Sequence, residues 1–134
     1  NLIKKFKKDV ILQPKEVVAT SADELFLQKA IDTLEENMTN SDFTINQFID
    51  NMGMSRSALY RKLKALTDQS IFEFIRTIKL KRAAQLITTS ELNISEIAFD
   101  LGFNDLKYFR KHFKSMFNTL PSDYRVNQTK NEQE

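Results

Sequence analysis

Two glycines are all that the 134 residues contain, and they occupy equivalent places in an internal repeat. Setting Gly53 on Gly102, an offset of 49, also sets Thr44-Ile45 on Asn93-Ile94, Gln47 on Glu96, Phe48 on Ile97, Met52 on Leu101 and Met54 on Phe103. One residue is inserted after the turn. The offset of 50 then aligns Leu59 with Phe109, Arg61 with Lys111, Leu63 with Phe113, Lys64 with Lys114 and Phe74 with Tyr124. Cap, turn glycine, core positions and basic positions recur together, which marks a duplicated structural unit. Each copy reads as a short helix, a tight turn and a second helix rich in Lys and Arg, the helix-turn-helix plan. Glycine suits such a turn because it takes positive φ without a Cβ clash.

With only two prolines beside the two glycines, a sandwich or barrel lacks its turn-formers. The absence of cysteine excludes a disulfide scaffold, a thiolate zinc site and a cysteine nucleophile. A hydrophobic fraction of 41%, with 11 Phe, is enough for a compact core. Neither a membrane-length apolar run nor a signal-peptide h-region is visible. The expected class is all-α, about seven helices, soluble and cytoplasmic, with no cofactor or metal.

Capping patterns set the helix starts. Ser21-Ala-Asp-Glu24 has capping-box form and predicts a first helix over 22–37, with Leu27, Ala30, Ile31, Leu34 and Met38 inward. Thr44-Ile-Asn-Gln47 opens a short helix that stops at Gly53, and Ser55 caps another over 56–66. Ser70-Ile-Phe-Glu73 opens a long helix over 71–88, whose apolar residues form more than one stripe, as on a helix packed against two bodies. Asn93-Ile-Ser-Glu96 starts a short helix ending at Gly102. Asn104 or Asp105 starts the next, with Phe109, Phe113 and Met116 inward, and Pro121 opens a last short helix through Arg125. Residues 1–20 read as a linker and 127–134 as a disordered tail.

The net charge of +2 conceals segregation. Residues 51–82 hold eight Lys/Arg against Asp68 and Glu73, giving +6, and residues 104–125 hold five against Asp105 and Asp123, giving +3. Between and around them, residues 15–50 give −6, with two lysines against eight acids, and 83–103 give −3 from Glu91, Glu96 and Asp100. Each basic block contains the second helix of one repeat. Such a helix, basic outside and apolar inside, suits a DNA major groove. An αα-hairpin repeat used for packing or protein contact fits the same spacing, so a helical interaction module without sequence-specific DNA binding remains the alternative. An enzyme does not fit: the sole histidine, His112, sits mid-helix among Lys and Arg with no carboxylate or hydroxyl arranged as a dyad with it, and no P-loop, GxGxxG or HExxH occurs.

Particular strings then carry a resemblance. Met52-Gly-Met-Ser55 with Leu59-Tyr-Arg-Lys-Leu-Lys64, Leu80-x-x-Ala83-x-x-Leu86-Ile87, and Ile97-Ala-Phe-Asp-Leu-Gly-Phe103 are similar to the AraC/XylS-type DNA-binding domain. So are Tyr108-Phe109, Phe113-Lys114, Phe117 and Pro121-Ser-Asp-Tyr-Arg125. The resemblance covers residues 21–126 and implies a first helix-turn-helix unit over 21–69, a linker helix over 70–88 and a second unit over 89–126. Asp68 and Asn118 stand where the family usually has Gly; both residue types tolerate the left-handed conformation. Ile71 replaces the usual proline, and Ile49 replaces a small residue that is kept as Ala98. Leu12-Gln-Pro14, Thr20-Ser-Ala-Asp-Glu24 and Phe26-Leu27 resemble the junction ahead of this domain in bacterial hybrid two-component regulators, which implies the output domain of a hybrid histidine kinase.

Carried over position by position, the resemblance implies base reading by Arg56, Ser57, Tyr60 and Arg61 in the first unit and by Asn104, Leu106, Lys107 and Lys111 in the second. Arg61 can take two acceptors on a guanine edge, and Tyr60 and Leu106 can meet a thymine methyl. Lys62, Lys64, Arg110, Lys114 and Arg125, with the helix starts at Thr44 and Asn93, are the expected phosphate contacts. The linker helix would set the two recognition helices about 34 Å apart, in successive major grooves. The implied partner is double-stranded DNA, with RNA polymerase as a candidate protein partner through the acidic first helix. A monomeric fragment and a homodimeric parent are expected, with no membrane contact by this fragment.

Overall fold

A computed structural model of the protein describes residues 20–133, with side chains through 128; the segment read as a linker lies almost wholly outside them. Seven helices and no strand occur among the described residues: α1 (Ser21–Glu36), α2 (Ile45–Met52), α3 (Arg56–Thr67), α4 (Ile71–Thr89), α5 (Ile94–Asp100), α6 (Leu106–Phe117) and α7 (Pro121–Gln133). They divide into two compact units whose boundary falls at Ile78–Lys79, within α4.

In the first unit, α1 starts one residue before the expected place. Thr20 is the N-cap: its hydroxyl accepts from the Asp23 amide at 3.1 Å, and the Asp23 carboxylate accepts from the Thr20 amide at 3.2 Å. Thr20-x-x-Asp23 offers the same reciprocal geometry as Ser21-x-x-Glu24, one residue earlier, and places Leu27, Ala30 and Leu34 inward. The other caps fall where the patterns put them. Thr44 and Gln47 close a reciprocal box at α2, Ser55 accepts from the Ala58 amide at α3, and Ser70 and Glu73 close a box at α4. Phe48, Leu59, Leu63 and Phe74 form the buried centre with Leu27. Ile49 is buried too, so the unit accommodates the larger side chain.

The second unit is built on aromatic rings. Phe109 and Phe113, one turn apart on α6, are fully buried, with ring centroids 5.7 Å apart. Phe103 meets Phe109 at 5.0 Å, while Phe117 and Tyr124 meet Phe113 at 4.6 and 5.5 Å. Ile97, Ala98 and Ala83 complete the core, and Met116, expected inward, is half-buried. The terminal helix is longer than the short one expected through Arg125: α7 runs on to Gln133. Nothing in Val126-Asn-Gln-Thr-Lys-Asn-Glu-Gln133 stops a helix, since it contains neither Gly nor Pro.

Both glycines have left-handed backbones, φ +70° at Gly53 and +88° at Gly102. A Cβ on Gly102 would also lie 3.1 Å from the Lys79 ammonium, whereas one on Gly53 would meet nothing within 4 Å. Asp68 and Asn118 take φ +62° at the ends of α3 and α6, and their amides donate to the Lys64 and Lys114 carbonyls.

The capping carboxylates have a pH signature. The Ser70 amide, the largest influence, holds the Glu73 carboxyl below the usual carboxylate range, and the Thr20 amide does the same for Asp23. A carboxyl depressed in the folded chain stabilises it at neutral pH, and that contribution is lost as pH falls through the depressed value. Glu73→Gln keeps an acceptor for the Ser70 amide but removes the titration. Between pH 7 and pH 3 this variant is expected to lose less stability than the parent, by about 0.5 kcal/mol given the exposure of the group. Urea midpoints at the two pH values check this; parallel profiles for the two proteins would contradict it.

Candidate nucleic-acid interface

The two second helices, α3 and α6, are each anchored by an apolar stripe and present a different face to solvent. On α3 the buried stripe is Leu59, Leu63 and Leu66. The exposed face carries Arg56, Ser57, Tyr60 and Arg61, the four base-reading candidates of this unit. Their i, i+1, i+4, i+5 spacing places them on one side of the first two turns. The Arg56 guanidinium donates to the Asn46 side chain at 3.2 Å, which ties it to α2.

On α6 the buried stripe is Phe109 and Phe113, and the exposed face carries Lys107, Arg110, Lys111 and Lys114. Two base-reading and two phosphate candidates thus share one basic stripe. Leu106 opens α6 half-buried. Asn104 is exposed but precedes the helix: Asp105 is the N-cap and accepts from the Lys107 amide at 2.9 Å. Between glycine and N-cap the first turn has only Met54, whereas the second has Phe103 and Asn104. Asn104 is therefore the inserted residue. Next to this turn the half-buried Lys79 ammonium is pushed below the usual lysine range by loss of hydration.

Five candidates are placed elsewhere. Lys62 lies over the Phe26 ring of α1, 4.9 Å from its centroid, in a cation–π contact. Lys64 donates to the Asp68 carbonyl at 3.2 Å and sits 3.6 Å from the Asp68 carboxylate, so it closes the end of α3. Arg125 donates to the carbonyls of Ile87 at 2.9 Å, Ser90 at 3.4 Å and Leu92 at 2.6 Å. It serves orphan acceptors in the last turn of α4 and in the segment after it. Asn93 spends both ends of its amide on Glu96, accepting from its main-chain N–H at 2.8 Å and donating to its carboxylate at 2.6 Å. That carboxylate opposes an anion at the start of α5. The hydroxyl and amide of Thr44 are both engaged with Gln47 within the capping box.

Two interactions and one exposed ring were missed from sequence. The Lys62–Phe26 and Arg125–carbonyl contacts join residues distant along the chain, and no local spacing announces them. Phe72 had a weak signal: it lies within the Ser70–Glu73 capping box yet off the Ile71–Phe74–Ile78 stripe, and it is exposed.

Two helix-turn-helix units, each with a basic second helix held by an apolar back, define a nucleic-acid-binding domain. A profile of the helix-turn-helix domain matches residues 48–127. The chain is 43% identical over 120 residues to a protein named histidine kinase P4 from Formosa agariphila, covering 90% of this chain and 9% of that protein. It is 32% identical over 99 residues to the regulatory protein SoxS of Salmonella typhimurium, covering 74% of this chain and 92% of that protein. Among solved structures, it is similar to the C-terminal domain of AraT, a response regulator from Geobacillus stearothermophilus. That match has a TM-score of 0.64 at 26% identity and covers 76% of this chain and 84% of that one. The chain belongs to the helix-turn-helix domain family and is an AraC-type DNA-binding domain of a transcription regulator. No helix among the described residues is long and apolar enough to cross a membrane.

Proposed function

We propose that the domain recognises a specific operator by placing α3 and α6 in DNA major grooves and acts by binding rather than by catalysis. The observation that carries this reading is the segregation on α6. Lys107, Arg110, Lys111 and Lys114 lie on the exposed side, and Phe109 and Phe113 hold the opposite side in the core. Cations concentrated on one face of a rigid helix suit a phosphate-walled groove. In this reading Arg56, Ser57, Tyr60 and Arg61 contact base edges through α3, and Asn104, Leu106, Lys107 and Lys111 do so through α6. Arg110 and Lys114 contact phosphates.

The domain would be the cytoplasmic output module of a hybrid two-component regulator. Its match to a small part of a much longer protein named as a histidine kinase supports this, as does its likeness to the C-terminal domain of a response regulator.

The test is a pair of variants on an operator selected from a random DNA pool and on its scrambled counterpart. Arg61→Ala is expected to lose about 1–3 kcal/mol of discrimination at one or two base pairs. Lys114→Ala is expected to weaken binding to both duplexes and to lower the salt slope by about one. Equal losses by Arg61→Ala on both duplexes would refute base reading, and an unchanged slope for Lys114→Ala would refute its phosphate contact.

A further inference from the structure

We propose that the groove beside α3 receives one strand of the DNA backbone, with a deoxyribose packed on Phe72 and the adjoining phosphate against Arg56. This rests on the reading that α3 carries base contacts; it moves Arg56 from the base-reading set to the phosphate set and adds a second element, the start of α4, to the DNA-facing surface.

The groove has a volume of about 610 Å³ and is lined by Arg56, Ser57 and Tyr60 of α3 and by Ser70, Ile71 and Phe72 around the start of α4. Phe72 is 55% exposed and Tyr60 43%, whereas Phe48, Phe74, Phe109 and Phe113 are fully buried. The outward direction of Phe72 is built in. Ile71 beside it is buried, and the Ser70–Glu73 box fixes the first turn of α4 with hydrogen bonds in both directions. What distinguishes Phe72 is that it shares one groove with the exposed Tyr60 ring and the Arg56 cation, a joint surface rather than a single exposed ring.

The chemistry of the lining selects the occupant. Two aromatic rings and an isoleucine provide apolar surface, while Arg56 is the sole charged lining residue and three serines, Ser55, Ser57 and Ser70, add hydroxyls. Apolar rings beside one cation match one deoxyribose with its adjoining phosphate. The neighbouring Glu73 carboxylate accepts from the Ser70 amide and is occupied in its own cap. Arg56, Ser57 and Tyr60 belong to both the groove and the exposed face of α3, so any occupant must coexist with DNA lying on that face. A strand of that same duplex meets this condition without a second partner.

The experiment measures binding of Phe72→Ala, Phe72→Leu and Arg56→Ala chains to the selected operator and to scrambled DNA across a salt series, with thermal melts alongside. Phe72→Ala is expected to weaken binding to both duplexes by about fivefold, because the contact is apolar and indifferent to sequence. Its salt slope should stay unchanged, since no cation is lost. Phe72→Leu keeps apolar surface and should stay within about twofold of the parent. Arg56→Ala should lower the slope by about one. Unchanged affinity of Phe72→Ala on both duplexes would overturn the proposal. So would a loss restricted to one base pair, which would indicate thymine-methyl contact, or an equal loss in Phe72→Leu. If Arg61→Ala costs discrimination while Phe72→Ala costs nothing, the groove proposal falls and the base-reading assignment stands. If Arg61→Ala and Lys114→Ala are also without effect, both fall.

Discussion

Replacing Phe113 with alanine is expected to destabilise the second unit by about 3–5 kcal/mol, the range for removing a fully buried aromatic ring. The ring is inaccessible to solvent and touches Phe109, Phe117 and Tyr124, with centroids 5.7, 4.6 and 5.5 Å away. Its removal would leave a void bounded by rings, which are too rigid to collapse into it fully. A small domain is stable by only about 5–15 kcal/mol, so this is a large share of the total. Urea unfolding followed through tyrosine fluorescence reads the effect, because Tyr108 and Tyr124 lie in this unit. A loss below about 1 kcal/mol would mean that the rings repack, contrary to the interlocking geometry. DNA affinity should fall with the folded fraction rather than beyond it, since Phe113 faces away from the basic stripe.

The second large effect is expected at Arg125. Its guanidinium donates to three main-chain carbonyls, those of Ile87, Ser90 and Leu92. Hydrogen bonds from a charged donor contribute about 1.5–3 kcal/mol, and stranding their acceptors adds to the loss. Arg125→Ala should therefore cost about 2–3 kcal/mol of stability. Arg125→Lys should recover only a minor part, because one ammonium lacks the planar fork that reaches separate carbonyls. The salt dependence of DNA binding by folded Arg125→Ala should match the parent. A slope lower by about one would return this arginine to the phosphate set.

These residues mark what sequence could and could not tell. The caps at Thr44, Ser55, Ser70 and Asn93 were legible because each is written within four residues, and the repeat because its two copies hold the only two glycines. Thr20-Ser-Ala-Asp-Glu24 holds two overlapping capping boxes, and nothing local chooses between them. The length of α7 was not legible because a polar segment without breakers can be helix or coil with the same composition. On the candidate interface, the exposed stripes of α3 and α6 followed from periodicity. The contacts of Lys62, Lys64 and Arg125 did not, because each has a partner away from those stripes: a ring on α1, a helix end, and carbonyls more than 30 positions back.

The left-handed stops at Asp68 and Asn118 carry a wider consequence. Each closes a helix of 12 residues, and each lies thirteen positions after its N-cap, Ser55 or Asp105. The extra residue of the second copy, Asn104, falls outside that span. Both copies therefore keep one reading frame, in which a given position along the helix always has the same distance to its start and stop. Differences in what the copies read are then written wholly in side chains. A change of preferred operator can proceed one half at a time, by point substitution, with no adjustment of backbone length in either half.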